Sequence, residues 1–408
     1  NKNIAIIGMS GTFKSTVAKK LAPFLGKRSL DVDELIEFEY GCTISELFKK
    51  SGEEYFRQIE KRIINDAADF SHIVLAGAKQ FSLVNFPIFT RVFFLFSKII
   101  FEVCVPLFFF ISGFLFFYRT EGFSAQIYLK KLKNRVRSLL IPYIFWNLVV
   151  LLFLFLAQTF LRGSLVSGVN KPIVSYSVLD WIWSFWDTSK VNPHLEKTLP
   201  VNSPFWFIRD LMVLVVFSPI VYLMVKKLGV YALAFLGLIW LYAPYFYLPG
   251  ISTVSLFFFA TGAYFSIYKK DFILLLKPLL PWDAGIFVLL IAAEFYFFGK
   301  SWWSYLYCAN VLAGMVFVIA LTAHFIQKGR WRPNSFLADG SFFIFAYHRF
   351  PLVFVIKFLF HLIRPQSEAV LLFLYIACPT VVIVLGLLGY RLLKDMLPRF
   401  TAIICGGR

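Results

Sequence analysis

Apolar positions along this chain follow two different rules, and the change falls near Lys79–Phe81. Before that point, short apolar runs alternate with charged stretches. Ile4-Ala5-Ile6-Ile7 is a compact apolar run with Gly8 behind it, the pattern of a buried strand ending at a turn. An amphipathic helix is predicted to follow through Leu25. Beyond the change the runs approach about 20 residues, the length a helix needs to cross a hydrocarbon core. They predict spans near 99–118, 139–161, 205–225, 229–247, 251–268, 282–298, 302–326, 341–362 and 368–393. The fold class is therefore mainly α: a polytopic transmembrane helical bundle of about nine spans behind a small partial α/β segment with a phosphate-loop turn. Two domains are expected, 1–80 and 81–408.

Composition supports the membrane reading. The 408 residues are 59% hydrophobic with a mean hydropathy of +0.73. Only 16% are charged, against about 25% in ordinary soluble chains. The formal charge of +18 would suit a nucleic-acid partner if it were spread over a soluble surface. Instead the basic residues sit in short clusters between apolar runs: Arg119 to Arg137, Lys226-Lys227, Lys269 to Lys277, Lys328 to Arg332, and Arg391 to Arg399. That arrangement faces anionic lipid, so the lipid bilayer is the expected partner and nucleic acid is not.

Lysine and arginine counts also set the orientation. The basic loops and the C-terminus are placed in the cytoplasm of a bacterium, with the protein integral to its inner membrane. The long 162–204 connection lies outside, with Trp181, Trp183 and Trp186 as interfacial anchors. An odd span count then puts residues 1–80 outside as well. Residues 81–98 contain Arg91 and Lys98 and leave no room for a further span and turn. The five cysteines are scattered, without disulfide or metal-ligand spacing, and no metal site is expected.

The N-terminal chemistry is that of a phosphate loop. Gly8, Gly11, Lys14 and Ser15 stand between a strand and a helix start, where backbone N–H groups hold phosphate, Lys14 neutralises it and Ser15 reaches magnesium. Phe13 departs from the pattern, because a Cβ before the lysine blocks close backbone approach. With Leu30-Asp-Val-Asp-Glu-Leu-Ile-Glu37 and Gly52-Glu-Glu-Tyr-Phe-Arg-Gln-Ile-Glu60, residues 3–78 resemble the first half of the shikimate kinase family. The resemblance implies Asp31 near magnesium, with Asp33 and Arg57 binding the hydroxyls and carboxylate of shikimate. His72-Ile-Val-Leu-Ala-Gly-Ala78 occupies the place of a strand ending in a glycine triplet, of which Gly77 remains. The family's lid and adenine-binding segments have no counterpart downstream. The site is expected to be vestigial, with ATP and magnesium bound only if the segment is active.

The membrane half carries specific strings. They are Val105-Pro-Leu-Phe-Phe-Phe-Ile-Ser-Gly-Phe-Leu-Phe-Phe117, Asn134-Arg-Val-Arg-Ser-Leu-Leu-Ile-Pro-Tyr143 with Trp146-Asn147, Phe205-Trp-Phe-Ile-Arg-Asp-Leu211, Thr261-Gly-Ala263 and Ala346-Tyr-His-Arg-Phe-Pro351. Their order and spacing resemble the integral-membrane acyltransferase 3 family over about residues 100–395. The resemblance implies an acyl-CoA co-substrate on the cytoplasmic side, no bound cofactor, and a carbohydrate acceptor presented from the other face. The family's first span, with a basic residue and a histidine proposed as catalytic base, has no counterpart here, because the kinase-like segment stands in its place.

Among the residues present, ionisable groups inside a bilayer mark either partners or chemistry. His348 is the candidate general base, or else an interior histidine held by hydrogen bonds. Arg135 and Arg137 flank a cytoplasmic entrance, as anchors or as a grip on CoA phosphates. Trp206, Arg209 and Asp210 are candidates for substrate or donor contact, and Arg209 and Asp210 equally for a structural pair. Ser112-Gly113 suits close helix packing. Glu294 is a lone intramembrane carboxylate without a role.

The reading is a membrane O-acyltransferase moving an acyl group, most simply acetyl, from acyl-CoA to a hydroxyl of a cell-envelope carbohydrate. Its activity is in question for want of the first span. The rivals are a non-catalytic transporter and residual shikimate kinase-type nucleotide binding.

Overall fold

A computed structural model describes residues 4–8, 27–43, 73–78, 86–120, 122–160, 171–192, 198–363 and 365–407, with single positions between 22 and 63. The chain divides into two units, Asn1–Phe86 with Leu156–Asn170, and Pro87–Phe155 with Lys171–Arg408.

The first unit holds a parallel sheet built from β1 (Ile4–Gly8), β2 (Arg28–Asp31) and, after helix α1 (Val32–Tyr40), β3 (Ile73–Ala78). The strand order is β1-β3-β2, with Ile4 opposite Val74 and Arg28 opposite Ile73. Asp31 caps α1 by accepting from the Asp33 amide at 3.0 Å, and Gly41 ends it in the left-handed region at φ 62°. Val32 and Ile36, one turn apart, bury themselves with Leu47, Phe56, Ile59 and Ile63.

The second unit is a helical bundle. It opens with α2 (Pro87–Phe117) and α3 (Ala125–Thr159). A short α4 (Val178–Trp186) leads to a bent pair, α5 (Trp206–Val216) and α6 (Ser218–Leu228), whose axes differ by 65°. Helix α7 (Val230–Tyr242), a small hairpin of β4 (Tyr247–Leu248) and β5 (Ile251–Ser252), and α8 (Thr253–Ile267) follow. Then come α9 (Phe272–Tyr296), α10 (Trp303–Gln327) and a second bent pair, α11 (Ser335–Tyr347) and α12 (Arg349–Ile363), with a 69° bend. Helices α13 (Glu368–Met396) and α14 (Pro398–Ile404) close the chain.

Among the described residues, five helices, α2, α3, α9, α10 and α13, are long and apolar enough to cross a membrane, and the bent pairs raise the count to seven. The protein is integral to a membrane. Two predicted spans, 229–247 and 251–268, differ from expectation. Their helices, α7 and α8, have 13 and 15 residues, or about 20 and 22 Å at 1.5 Å per residue, short of the roughly 30 Å hydrocarbon thickness. Pro244 and Gly250 (φ 102°) turn the chain between them. The first two spans also begin earlier than predicted, at Pro87 and Ala125, so the basic stretch Lys130–Arg137 is helix rather than loop. Ser124 starts that helix by accepting from the Ile127 amide at 3.3 Å.

Both bends have a proline just inside the second helix, Pro219 and Pro351, where the missing N–H leaves an earlier carbonyl without its helical donor. Between α2 and α8 the backbones touch. A Cβ on Gly113 would overlap the Phe259 carbonyl, and one on Gly262 the Phe110 carbonyl. Gly113 therefore serves close packing.

Candidate active site

Two polar centres lie along one segment, residues 198–210. The first is built around Arg209 and Asp210, both fully buried on the first turns of α5. Arg209 Nε and Nη2 each donate to Asp210 Oδ1 at 3.3 Å. Nη1 donates to the carbonyls of Trp186 and, at 3.1 Å, Thr198, while Nη2 also bonds the Tyr247 hydroxyl. The guanidinium lies 5.5 Å from the Trp186 ring centre and 5.6 Å from that of Tyr247. Asp210 Oδ1 accepts from the Gly250 amide at 3.1 Å, and a Cβ at Gly250 would come within 2.9 Å of Val213. One ion pair thus ties α4, the stretch after it, α5 and the β4–β5 hairpin together. Four neighbouring protein groups offset the cost of desolvating the two charges, while Asp210 Oδ2 has no hydrogen-bond partner among the described residues. Trp206 stands beside this centre, its ring 6.0 Å from Tyr247 and 6.4 Å from Phe109.

The second centre surrounds the α11–α12 bend. Asn147 and Asn202 are fully buried. Asn147 Nδ2 donates to the Tyr143 carbonyl at 2.8 Å, and its Oδ1 accepts from the Asn202 amide at 3.0 Å. Asn202 Nδ2 donates to the Ala346 carbonyl at 3.0 Å, next to the bend. Phe205 stacks on Phe345 with 5.6 Å between centres, and Tyr143 on Phe205 at 5.7 Å. His348 is set at this bend, half-buried, two residues past Ala346. Its Nδ1 lies 2.9 Å from the Phe345 carbonyl and 3.2 Å from that of Ile344. Carbonyls only accept, so Nδ1 carries the hydrogen. In the neutral ring Nε2 then holds the lone pair, the form a general base needs.

A third feature lies where α2 ends against the start of α3. A cleft of about 310 Å³ is lined by Leu115, Phe116, Lys131, Asn134, Arg135 and Ser138. Lys131 donates to the Phe116 carbonyl, and Lys131 and Arg135 lie 5.3 and 5.8 Å from the Phe116 ring centre. Arg137 is exposed and does not line the cleft.

The structure therefore gathers three of the predicted strings around Tyr143, Asn147, Phe205 and Ala346, and packs the other two, on α2 and α8, against each other. It places Arg209 and Asp210 in one cluster and Arg135 in another, with Trp206 beside the first. Asn202, Tyr247 and Lys131 went unpredicted. Single polar residues carry no periodicity, and Lys131 was read only as one of a basic run. Of the N-terminal candidates, Gly8 ends β1, Asp31 is engaged as a helix cap, and Asp33 is exposed. Gly11, Lys14, Ser15 and Arg57 lie outside the described residues.

Comparison with known proteins gives two family matches. The acyltransferase domain of the acyltransferase 3 family matches residues 70–389, and shikimate kinase matches residues 10–79. They meet at the change of pattern seen in the sequence. The chain is similar to the succinoglycan biosynthesis protein ExoH of Rhizobium meliloti (strain 1021), 27% identical over 317 residues, which is 76% of this chain and 80% of that protein. It is also similar to the shikimate kinase of Synechococcus sp. (strain RCC307), 42% identical over 74 residues, 18% of this chain and 38% of that enzyme. The shikimate kinase of Caldanaerobacter subterraneus subsp. tengcongensis is 43% identical over 77 residues, 19% of this chain and 45% of that enzyme. The chain thus spans less than half the length of these kinases. No solved structure matches it.

Proposed function

The chain belongs to the acyltransferase 3 family, and from that premise we propose that it transfers an acyl group from acyl-CoA to a hydroxyl of a cell-envelope carbohydrate. Similarity to a succinoglycan biosynthesis protein supports a polysaccharide acceptor. The observation that carries the reading is His348, whose Nδ1 is committed to a backbone carbonyl at 2.9 Å while Nε2 has no partner among the described residues.

In the proposed reaction Nε2 takes the acceptor's hydroxyl proton. The resulting oxygen attacks the thioester carbonyl carbon, an ester bond forms, and the carbon–sulfur bond breaks. The CoA thiolate leaves and is protonated, so the sum is ester plus free thiol. Lys131 and Arg135, in the basic cleft, suit the phosphates of CoA. In this reading Arg209 and Asp210 shape the outer wall without touching the reacting atoms. In this reading the C-terminus and the donor lie on the cytoplasmic side of the inner membrane, which the basic clusters support.

The second reading is that a chain with a kinase-like segment in place of the family's first span binds donor but does not turn over. The kinase match over residues 10–79 favours it. Purified full chain in lipid nanodiscs, given labelled acetyl-CoA and an oligosaccharide acceptor, separates the two. Labelled ester that disappears in His348→Gln supports transfer. Donor binding without ester, with ester restored by grafting a family first span, supports the second reading. A chain that neither binds nor turns over the donor refutes both and returns the transporter reading.

A further inference from the structure

A separate group of polar side chains lies where α2, α9 and α10 meet. Glu294, near the end of α9, is fully buried, and neither carboxyl oxygen has a hydrogen-bond donor. Asn310 of α10 is also fully buried and faces it. Its Nδ2 donates to the Ile99 carbonyl of α2 at 3.4 Å, while its Oδ1 is unpartnered. From α2, Glu102 acts on Glu294 electrostatically, and Lys98 acts on Glu102. From α10 and the turn before β4, Cys308, Tyr307 and Tyr245 complete the titratable surroundings. Among the described residues no ion pair involves Glu294.

Two buried carboxyl oxygens without a hydrogen-bond partner, beside the Asn310 amide, form an arrangement an anion does not tolerate inside a bilayer. A cation or a proton relieves it. Metal ions need more ligands than one carboxylate and one amide, and no cluster of three or more His, Cys, Asp or Glu suited to a metal occurs among the described residues. A single proton suffices. On Glu294 it turns one oxygen into a donor, and the Asn310 Oδ1, buried and itself unpartnered, is an acceptor of the kind that donor needs.

We propose that Glu294 and Asn310 form a proton-binding site inside the bundle, with Glu102 as the group through which that proton exchanges. Glu102 is half-buried on α2, so its carboxyl, unlike that of Glu294, is open in part to the surroundings of the bundle. In each exchange the O–H bond of one carboxyl breaks as that of the other forms, with no oxidation and no other reactant. The site is independent of the acyl-transfer reading, and stands if that reading fails.

Infrared spectroscopy of the full chain in nanodiscs at neutral pH tests it. The wild type should show a deuterium-sensitive carbonyl stretch of a neutral carboxylic acid that moves on 13C-glutamate labelling. Glu294→Gln should remove it. Asn310→Ala should shift its frequency by taking away the acceptor, a readout that serves even if the Gln variant does not fold. Glu102→Gln should keep the band but slow its deuterium exchange several-fold. No glutamate band in the wild type, or one that persists in Glu294→Gln or is unmoved by Asn310→Ala, overturns the site. Exchange at the wild-type rate in Glu102→Gln overturns the route.

Discussion

Arg209, within an apolar helix, and His348, at the break between two, are both ionisable, yet they are treated in opposite ways. Every nitrogen of the Arg209 guanidinium donates to a protein acceptor, and its residue is fully buried. His348 is half-buried and commits one ring nitrogen to carbonyls, leaving the other without a partner among the described residues. Saturation marks a charge that holds structure, and an uncommitted, oriented nitrogen marks one that can act on something else. The two centres share residues 198–210, so under the proposed reaction the rigidity that Arg209 supplies would bear on His348.

The contrast predicts different failures. His348→Gln should lower acyl transfer by about 10²–10⁴-fold with little change in thermal unfolding, as read by labelled ester and a melting curve. Equal loss of activity and stability would erase the distinction. Arg209→Ala leaves Asp210 as a buried unpaired charge and should cost about 3–5 kcal/mol in detergent unfolding. A loss of donor affinity with unchanged stability would make Arg209 a binding residue instead. Asn202→Ala removes the donor to the Ala346 carbonyl and should cost about 1–3 kcal/mol, with activity falling beyond what stability explains.

The smallest effect concerns Asp180 on α4. Hydrogen bonds from Lys171 and Ser177 hold its carboxyl below the ordinary 3.8, to about 2. A lowered carboxylate contributes stability that is fully present above its unfolded value and is lost as pH falls through the folded one. Fluorescence of the α4 tryptophans should therefore change between about pH 4 and 2 in the wild type and lose that step in Asp180→Asn.

The parts of this architecture that repeat were legible in sequence. Long Phe- and Leu-rich runs announced helices, and the Arg209-Asp210 pair was visible as charge inside an apolar run. The interruptions were not. Apolar content is blind to the bend at Phe217, and only Pro219 hinted at it. The same holds at His348 with Pro351, so a histidine read as lying within a span sits instead at a break in the helix. The basic run before Tyr143 looked like a loop because charge suggested one, yet Ser124 capping and the leucines among the lysines make it helix. Asn147 and Asn202 are 55 residues apart, and only the fold shows that they bond. In the first unit, β1 followed from an apolar run and β3 from the resemblance to the shikimate kinase family.

The most direct test of the account is labelled acetyl-CoA with an oligosaccharide acceptor, added to wild-type and His348→Gln chains of matched stability in nanodiscs. The account predicts labelled ester from the wild type and about 10²–10⁴-fold less from the variant. Ester formed equally by both would contradict it.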